Sequence, residues 1–358
     1  MSAVATLDSP VKFSPLTSTS LLPLVVEPSS EAHRDISRLV AWLQLEKTWV
    51  QETLTRHGAM LFRGYPVHTP DQFESISRAI APRLKNDYLG TSPRDALTEF
   101  VFSASELPPY FPIPQHLEMS FVPDPPTRLF FHCMVPSTGD GGETPLVDFR
   151  AMLRDLDPAV RARFEAKGVR NIRNYSGPEG GSRRDLWKLK RWDEMFGTTD
   201  RQAVEKVCAE QQFSVKWKPN GQLELTNVQP ATRAHPVTGE PVWFNHSQVF
   251  HLSAAAGEYK RIASRQRPLK SRALALFARS MVALKRRTKP IDDQAMQTTY
   301  GDGSPIPDAD MEKVRDAIWK NLVAFRWQQG DVVAIDNRAV AHGRFPYAGP
   351  RKITVSWA

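Results

Sequence analysis

The N-terminal third of the chain alternates between helical and strand-like hydrophobic patterns. Apolar residues recur at roughly helical spacing between Ser30 and His57, at Ile36, Val40, Leu43, Val50 and Leu54. Gly58 ends this pattern, and residues 59–62 are predicted to form a short buried strand. Thr69-Pro70 joins an N-cap residue to a proline suited to the first helical position, which predicts a second helix. Residues 1–20 are rich in Ser, Thr and Pro and are predicted to be a loose lead-in.

Beyond Phe100 the pattern changes to short β-like runs separated by Pro and Gly clusters. Strands are predicted at 128–135, 213–217, 223–228, 242–245, 332–335 and 353–357. Helices are predicted at 149–155, 159–167, 201–210, 272–284 and 311–322. Pro219-Asn220-Gly221 is a hairpin turn signal. No G-x-G-x-x-G motif follows a strand, which disfavours a dinucleotide-binding fold, and the many short strands favour a β-sandwich or jelly roll.

Composition narrows the class of protein. A hydrophobic content of 41% and a charged content of 24% are those of a globular protein that buries a core. Cys133 and Cys208 match no zinc spacing and are predicted to be buried thiols in a reducing cytoplasm. The N-terminus lacks the pattern of a signal peptide, and no apolar run is long enough to span a membrane. We therefore expect a soluble cytoplasmic protein.

The net charge of +8 is concentrated in one segment, residues 260–289, which we call the basic stripe. It contains eleven Lys and Arg residues and no acidic residue: Lys260, Arg261, Arg265, Arg267, Lys270, Arg272, Arg279, Lys285, Arg286, Arg287 and Lys289. The stripe is either a solvated helix face or a surface that attracts an anionic partner. No aromatic residues are interleaved in a nucleic-acid-binding motif, so nucleic acid is not the expected partner.

Three separated residues form a candidate metal site. His116 and Glu118 are two positions apart, so in an extended chain their side chains point the same way. His342 follows a strongly apolar predicted strand and is the candidate third ligand. Two His and one carboxylate leave three positions open on an octahedral metal, as in iron(II) enzymes that bind a cosubstrate together with oxygen. The His-x-Glu pair alone also fits a surface histidine beside an acidic residue.

Further motifs add weight to this pair. In chain order they are GAMLFRG (58–64), IPQHLEM (113–119), GGETP (141–145), HPVTG (235–239), VWFN (242–245), YGDGSPIP (300–307), and residues 327–342 with GPR (349–351). With them the chain resembles the taurine dioxygenase-like superfamily of iron(II)/2-oxoglutarate oxygenases, and more closely its clavaminate synthase-like and SyrP-like branch. The resemblance implies a mainly β fold: a double-stranded β-helix, or jelly roll, with N-terminal helices and helical insertions. It covers residues 21–358, which we expect to form one oxygenase domain with an insertion around 170–235.

The resemblance also implies roles for individual residues. His116, Glu118 and His342 would be the iron ligands, and Thr144 and Arg351 would bind the far carboxylate of 2-oxoglutarate. A planar guanidinium suits a carboxylate better than an ammonium group does. Two positions depart from the commoner pattern: the metal carboxylate is Glu rather than Asp, a choice that the clavaminate synthase-like branch shares, and Val355 stands where many relatives have a second Arg. Lys352 is a fallback contact at this corner.

Three further residues are candidates for substrate contact. Arg94 could meet a substrate carboxylate, and Asn245 and His246 follow a predicted strand that could reach the pocket. Each has a plainer interpretation as a surface or structural residue, and His132 and His251 are predicted to be structural.

The implied activity consumes 2-oxoglutarate and O2 and oxidises a small amino-acid-like substrate, with a hydroxylase of secondary metabolism as the leading hypothesis. The substrate would be free or tethered to an acidic carrier protein that docks on the basic stripe. The same cofactors also support desaturation or cyclisation. Two other classes remain open: a jelly-roll binding protein with a relic metal site, and a demethylase directed to nucleic acid by the basic stripe.

Overall fold

The computed structural model of the protein describes residues 9–89, 94–104, 107–178 and 190–358. The strands are β1 (Val11–Thr17), β2 (Ser20–Pro28), β3 (Ala59–Phe62), β4 (Phe102–Ser103), β5 (Ile113–His116), β6 (Arg128–Val135), β7 (Leu146–Asp148), β8 (Val169–Tyr175), β9 (Ser214–Trp217), β10 (Leu223–Gln229), β11 (Thr232–Ala234), β12 (Pro241–Trp243), β13 (Met296–Tyr300), β14 (Leu322–Val323), β15 (Val332–Asp336), β16 (Val340–Arg344) and β17 (Lys352–Trp357). The helices are α1 (Ile36–Leu45), α2 (Lys47–His57), α3 (Pro70–Ile80), α4 (Phe149–Asp155), α5 (Pro158–Lys167), α6 (Trp192–Phe196), α7 (Arg201–Glu210), α8 (Ser247–Phe250), α9 (Ala254–Ile262), α10 (Pro268–Thr288) and α11 (Asp308–Lys320).

The larger of two facing sheets has the strand order β1-β2-β3-β15-β6-β17-β4. Strands β3 and β15 are buried along their whole length, because both faces of the sheet are covered. In β3, Met60 and Phe62 pack in a hydrophobic cluster with residues of α1, α2 and α3. Leu61 points the other way, into the space between the two sheets. This explains why the sequence here is continuously apolar rather than alternating.

The second sheet has the order β14-β7-β16-β5 and faces the first. Leu146 and Val340 from this sheet pack with Phe131, Ile335 and Val355 from the larger one, and these contacts form the core between the layers. The arrangement confirms the predicted jelly roll with N-terminal helices. Cys133 and Cys208 are free and buried, as predicted.

The N-terminal prediction needs two corrections. Residues 11–17 do not belong to a loose lead-in, because β1 pairs antiparallel with β2 at the edge of the larger sheet. The strand is mostly exposed and carries Pro15, which an edge strand tolerates, so its composition resembles that of a loop. The helical pattern of residues 30–57 is divided into α1 and α2 at Glu46, where ψ is 27°. Residues 1–8 of the predicted lead-in lie outside the described residues.

The predicted insertion around 170–235 contributes most of a further sheet, with the order β13-β8-β10-β9, which we call the inserted sheet. The predicted hairpin turn joins β9 to β10. One face of the sheet packs on Phe121 and Phe250, residues that also line the central cavity of the jelly roll. Residues 179–189 of the insertion lie outside the described residues.

The basic stripe runs from the end of α9 through α10. Helix α10 begins four residues earlier than predicted, at Pro268, consistent with the preference for proline in the first turn. Of the helices described, none combines the length and the apolar character needed to cross a membrane.

Candidate metal centre and its cavity

Strand pairing brings the two candidate histidine ligands together. His342 in β16 lies directly opposite His116 in β5, and the centroids of their rings are 4.5 Å apart. Glu118 follows β5 on the same side, while the intervening Leu117 is fully buried in the hydrophobic cluster on the opposite side. The predicted alternation is therefore correct, and it directs one imidazole and one carboxylate at a second imidazole.

The three side chains have the geometry of a metal-binding group. One ligand atom from each lies within 4.8 Å of the others, and Nε2 of His342 is 3.7 Å from Oε2 of Glu118. Nδ1 of His116 is 2.8 Å from the carbonyl oxygen of Pro114. A carbonyl can only accept, so Nδ1 carries the proton and the lone pair of Nε2 is free for a metal.

Burial keeps both histidines uncharged. It lowers the pKa of His116 and lowers that of His342 well below its usual value. Neutral imidazoles are the form that binds metal. Two such rings and one carboxylate therefore fit an octahedral iron(II) ion with open positions.

The backbone of Glu118 is fixed by a residue that sequence reasoning did not identify. The Glu118 N–H donates to Oδ1 of Asn337 at 2.7 Å, and Nδ2 of Asn337 donates to the Glu118 carbonyl at 3.0 Å. Asn337 lies in the turn between β15 and β16, five residues before His342. One buried amide thus ties the two halves of the candidate metal centre together.

Arg94 lies in the cavity, and its side chain is held by protein groups. Its guanidinium donates to Oε2 of Glu118 at 2.9 Å and to the Ala104 carbonyl at 2.6 Å. The Tyr88 hydroxyl is 3.4 Å from Oε1 of the same carboxylate, and burial raises the pKa of Tyr88, so the phenol stays protonated and donates. Arg94 thus contacts the carboxylate of the candidate metal centre and also lines the cavity, and its role in binding substrate stays a prediction.

Thr144 and Arg351 meet at another part of the cavity wall. Nη2 of Arg351 is 3.4 Å from Oγ1 of Thr144, and Nε donates to the Gly142 carbonyl at 2.8 Å. The Trp327 indole also donates to Oγ1 of Thr144, at 3.1 Å. Burial lowers the pKa of Arg351 to about 10, which still leaves it charged at neutral pH. Lys352, the fallback contact, is exposed and does not line the cavity.

The two candidate substrate residues after β12 behave differently. His246 lines the cavity, with its ring 5.4 Å from that of His116 and its Nδ1 2.6 Å from the Ser120 hydroxyl. Asn245 does not line the cavity, which corrects the prediction for this residue. Its amide donates to the Ala231 carbonyl at 2.8 Å and accepts from the Ser247 N–H at 2.9 Å, so the side chain forms hydrogen bonds with the backbone.

Arg344 is a cavity residue that the sequence analysis missed. It lies two positions after His342 on β16, so strand alternation places both side chains on one face and could have identified it. Its guanidinium donates to the carbonyls of Leu107, Pro108 and Phe111. Arg344 therefore holds the segment that forms one wall of the cavity. The remaining lining is largely apolar and includes Phe121, Phe131, Val249, Phe250, Met296 and Ile353.

Comparison with known families identifies the class of protein. The model of the family "Taurine catabolism dioxygenase TauD, TfdA family" matches residues 13–357, so the chain belongs to this family. With a His-Glu-His group in its cavity, the protein is a 2-oxoglutarate-dependent dioxygenase that uses iron(II).

The individual relatives share less than a third of their residues with this chain. The chain is 28% identical over 307 residues to the dapdiamide synthesis protein DdaC of Enterobacter agglomerans, covering 86% of this chain and 84% of that protein. It is also 28% identical over 325 residues to a clavaminate synthase-like protein of Arabidopsis thaliana, covering 88% and 85%. Among solved structures, PvcB from Pseudomonas aeruginosa aligns with a TM-score of 0.52 at 14% identity, covering 100% of this chain and 94% of that one. The last similarity is one of fold.

Proposed function

We propose that this dioxygenase hydroxylates an unactivated carbon of an amino acid or amino-acid-derived substrate in secondary metabolism. The observation that carries the proposal is the meeting of His116, Glu118 and His342 in a cavity that also contains Thr144 and Arg351. When bound, iron(II) and 2-oxoglutarate supply the oxidising power that removes a hydrogen atom from carbon. The protein supplies ligand geometry, positioning and exclusion of water.

In this proposal His116, Glu118 and His342 are the iron ligands. The Nδ1–H bond from His116 to Pro114 orients one ring, and the Asn337 amide fixes the backbone of Glu118. Such supporting contacts set the direction of each ligand. Arg94 and Tyr88 are positioning residues that orient the carboxylate.

Arg351 and Thr144 are proposed to bind the distal carboxylate of 2-oxoglutarate. Nη2 of Arg351 and Oγ1 of Thr144 are already adjacent, so both can donate to the same oxygen pair. Trp327 donates its N–H to Oγ1, which leaves the Thr144 hydroxyl proton available for the ligand. An arginine in a largely buried site gains from a two-pronged contact with a carboxylate.

The substrate class is inferred from relatives and from the cavity. One relative is named for dapdiamide synthesis, and another for its likeness to clavaminate synthase. Both names are consistent with oxidation of a small amino-acid-derived molecule. The aromatic and aliphatic walls suit an unactivated carbon chain, while charged groups lie at several points of the cavity.

A substrate screen tests this proposal. Protein is loaded anaerobically with iron(II) and 2-oxoglutarate and is then mixed with O2-saturated solutions of amino acids or of their acylated derivatives. The amount of succinate and the mass of the product are measured. Hydroxylation adds one oxygen atom, whereas desaturation or cyclisation removes two hydrogen atoms. Succinate that never depends on added substrate would contradict the amino-acid assignment. Absence of any succinate from correctly loaded protein would favour the binding-protein alternative with a relic site.

We further propose that an acidic carrier protein presenting a tethered substrate docks on α10. Four apolar residues of this helix are exposed at 53% or more and fall on one side of it: Leu269, Leu276, Phe277 and Leu284. Lys270, Arg272, Arg279 and Arg287 are exposed around them, and no ion pair to them occurs within the described part of the chain. An apolar strip with a basic rim complements a partner that is apolar at its centre and acidic at its edge.

Four other basic residues of the stripe are less available. Lys260, Arg261 and Arg286 pair with acidic residues of α11, namely Glu312, Asp316 and Asp308. Arg265 lies over the rings of Trp319 and Phe345, at 5.7 and 5.9 Å. The docking face is therefore confined to the exposed side of α10.

The docking proposal is tested by replacing Lys270, Arg272, Arg279 and Arg287 with Gln. Turnover of the carrier-tethered substrate should fall, with the loss shrinking at high salt, while turnover of the free substrate is unchanged. The control replaces exposed basic residues on the N-terminal helices, Arg38, Lys47 and Arg56, with Gln. Equal losses on free and tethered substrate contradict the proposal. Tight, steeply salt-dependent binding of duplex DNA to α10 would instead support the nucleic-acid alternative.

A further inference from the structure

One face of β8 carries three polar side chains with unused hydrogen-bonding groups. Asn171, Arg173 and Tyr175 occupy alternate positions and point to the same side of the inserted sheet, and all three are 0% exposed. Atoms of all three lack a hydrogen-bond partner: Nδ2 of Asn171, Nε, Nη1 and Nη2 of Arg173, and the hydroxyl of Tyr175. Buried polar groups are nearly always partnered, so such a concentration indicates a site for a small polar or anionic group.

Arg173 is the most unusual of the three. Its guanidinium lies between the rings of Phe121 and Phe213, with Cζ 4.3 and 4.4 Å from their centroids. Stacking on two rings offsets part of the cost of burying a guanidinium, but no carboxylate of the described residues accepts from its N–H groups. Both faces are covered, so an acceptor can reach the guanidinium only in its own plane, where the N–H bonds point.

This group lies beside the cavity of the candidate metal centre. Met296, the β13 partner of Arg173 across the sheet, lines that cavity, as does Phe121. Cζ of Arg173 lies 4.3 Å from the centroid of the Phe121 ring. The Phe121 ring centroid is 5.0 Å from that of His246, and the His246 ring centroid is 5.4 Å from that of His116. Three short steps thus connect the guanidinium to a candidate iron ligand. Arg173 itself does not line the cavity, so a carboxylate would reach it past Phe121 or Met296 at the cavity wall.

Arg173 differs in this respect from two other arginines of the site. Arg94 donates to Glu118 and Ala104, and Arg351 donates to Gly142. Among the described residues, no acidic side chain forms an ion pair with Arg173. Glu118 is the anionic partner of Arg94, and Arg351 is proposed to bind 2-oxoglutarate, so Arg173 is a buried cation beside the cavity to which no anion has been assigned.

We propose that Arg173 binds a carboxylate of the substrate, with Tyr175 as a second donor. Two N–H groups of a guanidinium fit the two oxygens of a carboxylate in one plane. Burial raises the pKa of Tyr175 while the adjacent Arg173 opposes that rise, so the phenol is protonated beside the cation and can donate to the same anion. The inference rests on the proposed function and sharpens it, because it requires the substrate to be anionic at the end remote from the oxidised carbon. In a tethered substrate the α-carboxylate is used by the thioester, and the anion would be a side-chain carboxylate.

Binding of simple monocarboxylates tests this assignment without turnover. Mn(II) replaces iron and 2-oxoglutarate is saturating, so the metal centre and the Arg351 region are filled. The probes are butyrate and hexanoate, with butyramide and hexanamide as uncharged counterparts. A ligand that binds only the folded protein raises its Tm with concentration, so the acids should raise the Tm of the wild-type protein and the amides should not.

Arg173→Met should weaken the apparent affinity for the acids by roughly 10- to 100-fold, and Arg173→Lys should have an intermediate effect. The control is Arg170→Met on the same strand, where Arg170 points to the other face and pairs with Asp292 at 3.1 Å. It should keep the wild-type response to the acids. If Arg173→Met does not fold, Tyr175→Phe and Arg173→Lys provide the same comparison with smaller changes.

Three outcomes overturn the assignment: no acid-specific rise in the wild-type Tm, an equal rise with the amides, or an unchanged acid response in the Arg173 variants. Failure here is distinguishable from failure of the proposed function. Substrate-dependent succinate without a carboxylate response contradicts only the anion site. A carboxylate response without any turnover in the screen contradicts only the hydroxylase.

Discussion

The cavity has two sides that differ in how their charged groups are satisfied. On the jelly-roll side, Glu118 is paired with Arg94, and Arg351 contacts the Thr144 hydroxyl and the Gly142 carbonyl, so both arginines have hydrogen-bonding partners in the protein. Beside the cavity, on the inserted sheet, Arg173 is fully buried and forms no ion pair with an acidic side chain of the described residues. The difference suggests a division of labour: the jelly roll holds what every reaction cycle needs, and the inserted sheet holds what selects the substrate.

The largest effect should come from removing a proposed metal ligand on the jelly-roll side. His342→Ala should lower substrate-dependent succinate formation by more than about 100-fold, because even residues that support a ligand commonly cost 10- to 100-fold. Loading with Mn(II), followed by metal analysis of the desalted protein, reports the loss directly.

His246→Ala is the matched control for this experiment. Its ring lies 5.4 Å from that of His116, but it is not part of the three-residue group. Metal loading should survive this change. Equal loss of metal from both variants would mean that the assignment of ligands is wrong.

A smaller, selective effect is expected for Arg351, the residue proposed to bind the distal carboxylate of 2-oxoglutarate. Arg351→Lys should raise the KM for 2-oxoglutarate about 10- to 100-fold, because an ammonium group cannot make the two-pronged contact. The KM for the substrate should change little. Lys352→Met at the exposed neighbouring position should leave both values as in the wild type, and a similar rise there would contradict the assignment to Arg351.

Replacing Arg94 should lower the Tm of the metal-free protein more than that of the metal-bound protein. The Arg94 and Glu118 side chains are only 7% and 5% exposed, and breaking a buried ion pair costs about 3–5 kcal/mol. Arg94→Met should therefore lower the Tm of the apo protein. A bound metal gives Glu118 another cationic partner, so saturating Mn(II) should restore most of the difference. A deficit of the same size with and without metal would contradict this interpretation.

The smallest effect is expected at Glu312 in α11, which does not line the cavity. Burial alone would raise the pKa of Glu312, but hydrogen bonding by Lys260 and the charge of Arg261 lower it to about 2, from 4.5. A carboxyl group with a lowered folded-state pKa stabilises the protein above its unfolded-state pKa and loses this contribution as the pH falls.

Glu312→Gln should accordingly lower the Tm by about 1–3 °C at pH 7. The difference from the wild type should shrink between pH 4.5 and pH 2. Thermal unfolding followed at several pH values measures it. A difference that grows on acidification would have the wrong sign.

The parts of the site that sequence predicts well are those set by short-range geometry. His116 and Glu118 share a side because strand residues alternate, and the run from Val332 to Ile335 is apolar because both faces of the sheet are covered. The hydrogen-bond partner of a buried polar side chain often lies on a distant segment, so strand alternation and apolar runs do not predict it. Arg94, which lies in a loop, donates directly to Glu118, and the Asn245 amide donates to the backbone carbonyl of Ala231.

Composition misleads where polar residues occupy regular structure. Strand β1 contains Pro15 and is mostly solvent-facing, so it resembles a loop although it pairs with β2 along nearly its whole length. Arg173 shows the opposite case, since an arginine in a strand gives no sign that it will be fully buried. Only the placement of Phe121 and Phe213 around it reveals this.

The bond between Asn337 and Glu118 spans 219 residues of sequence. During synthesis on the ribosome, His116 and Glu118 emerge long before His342, and the Asn337 amide that anchors the backbone of Glu118 is made shortly before His342. A nascent chain that stops before these residues would therefore lack the complete His-Glu-His group, and capture of the metal would report that synthesis has reached β16.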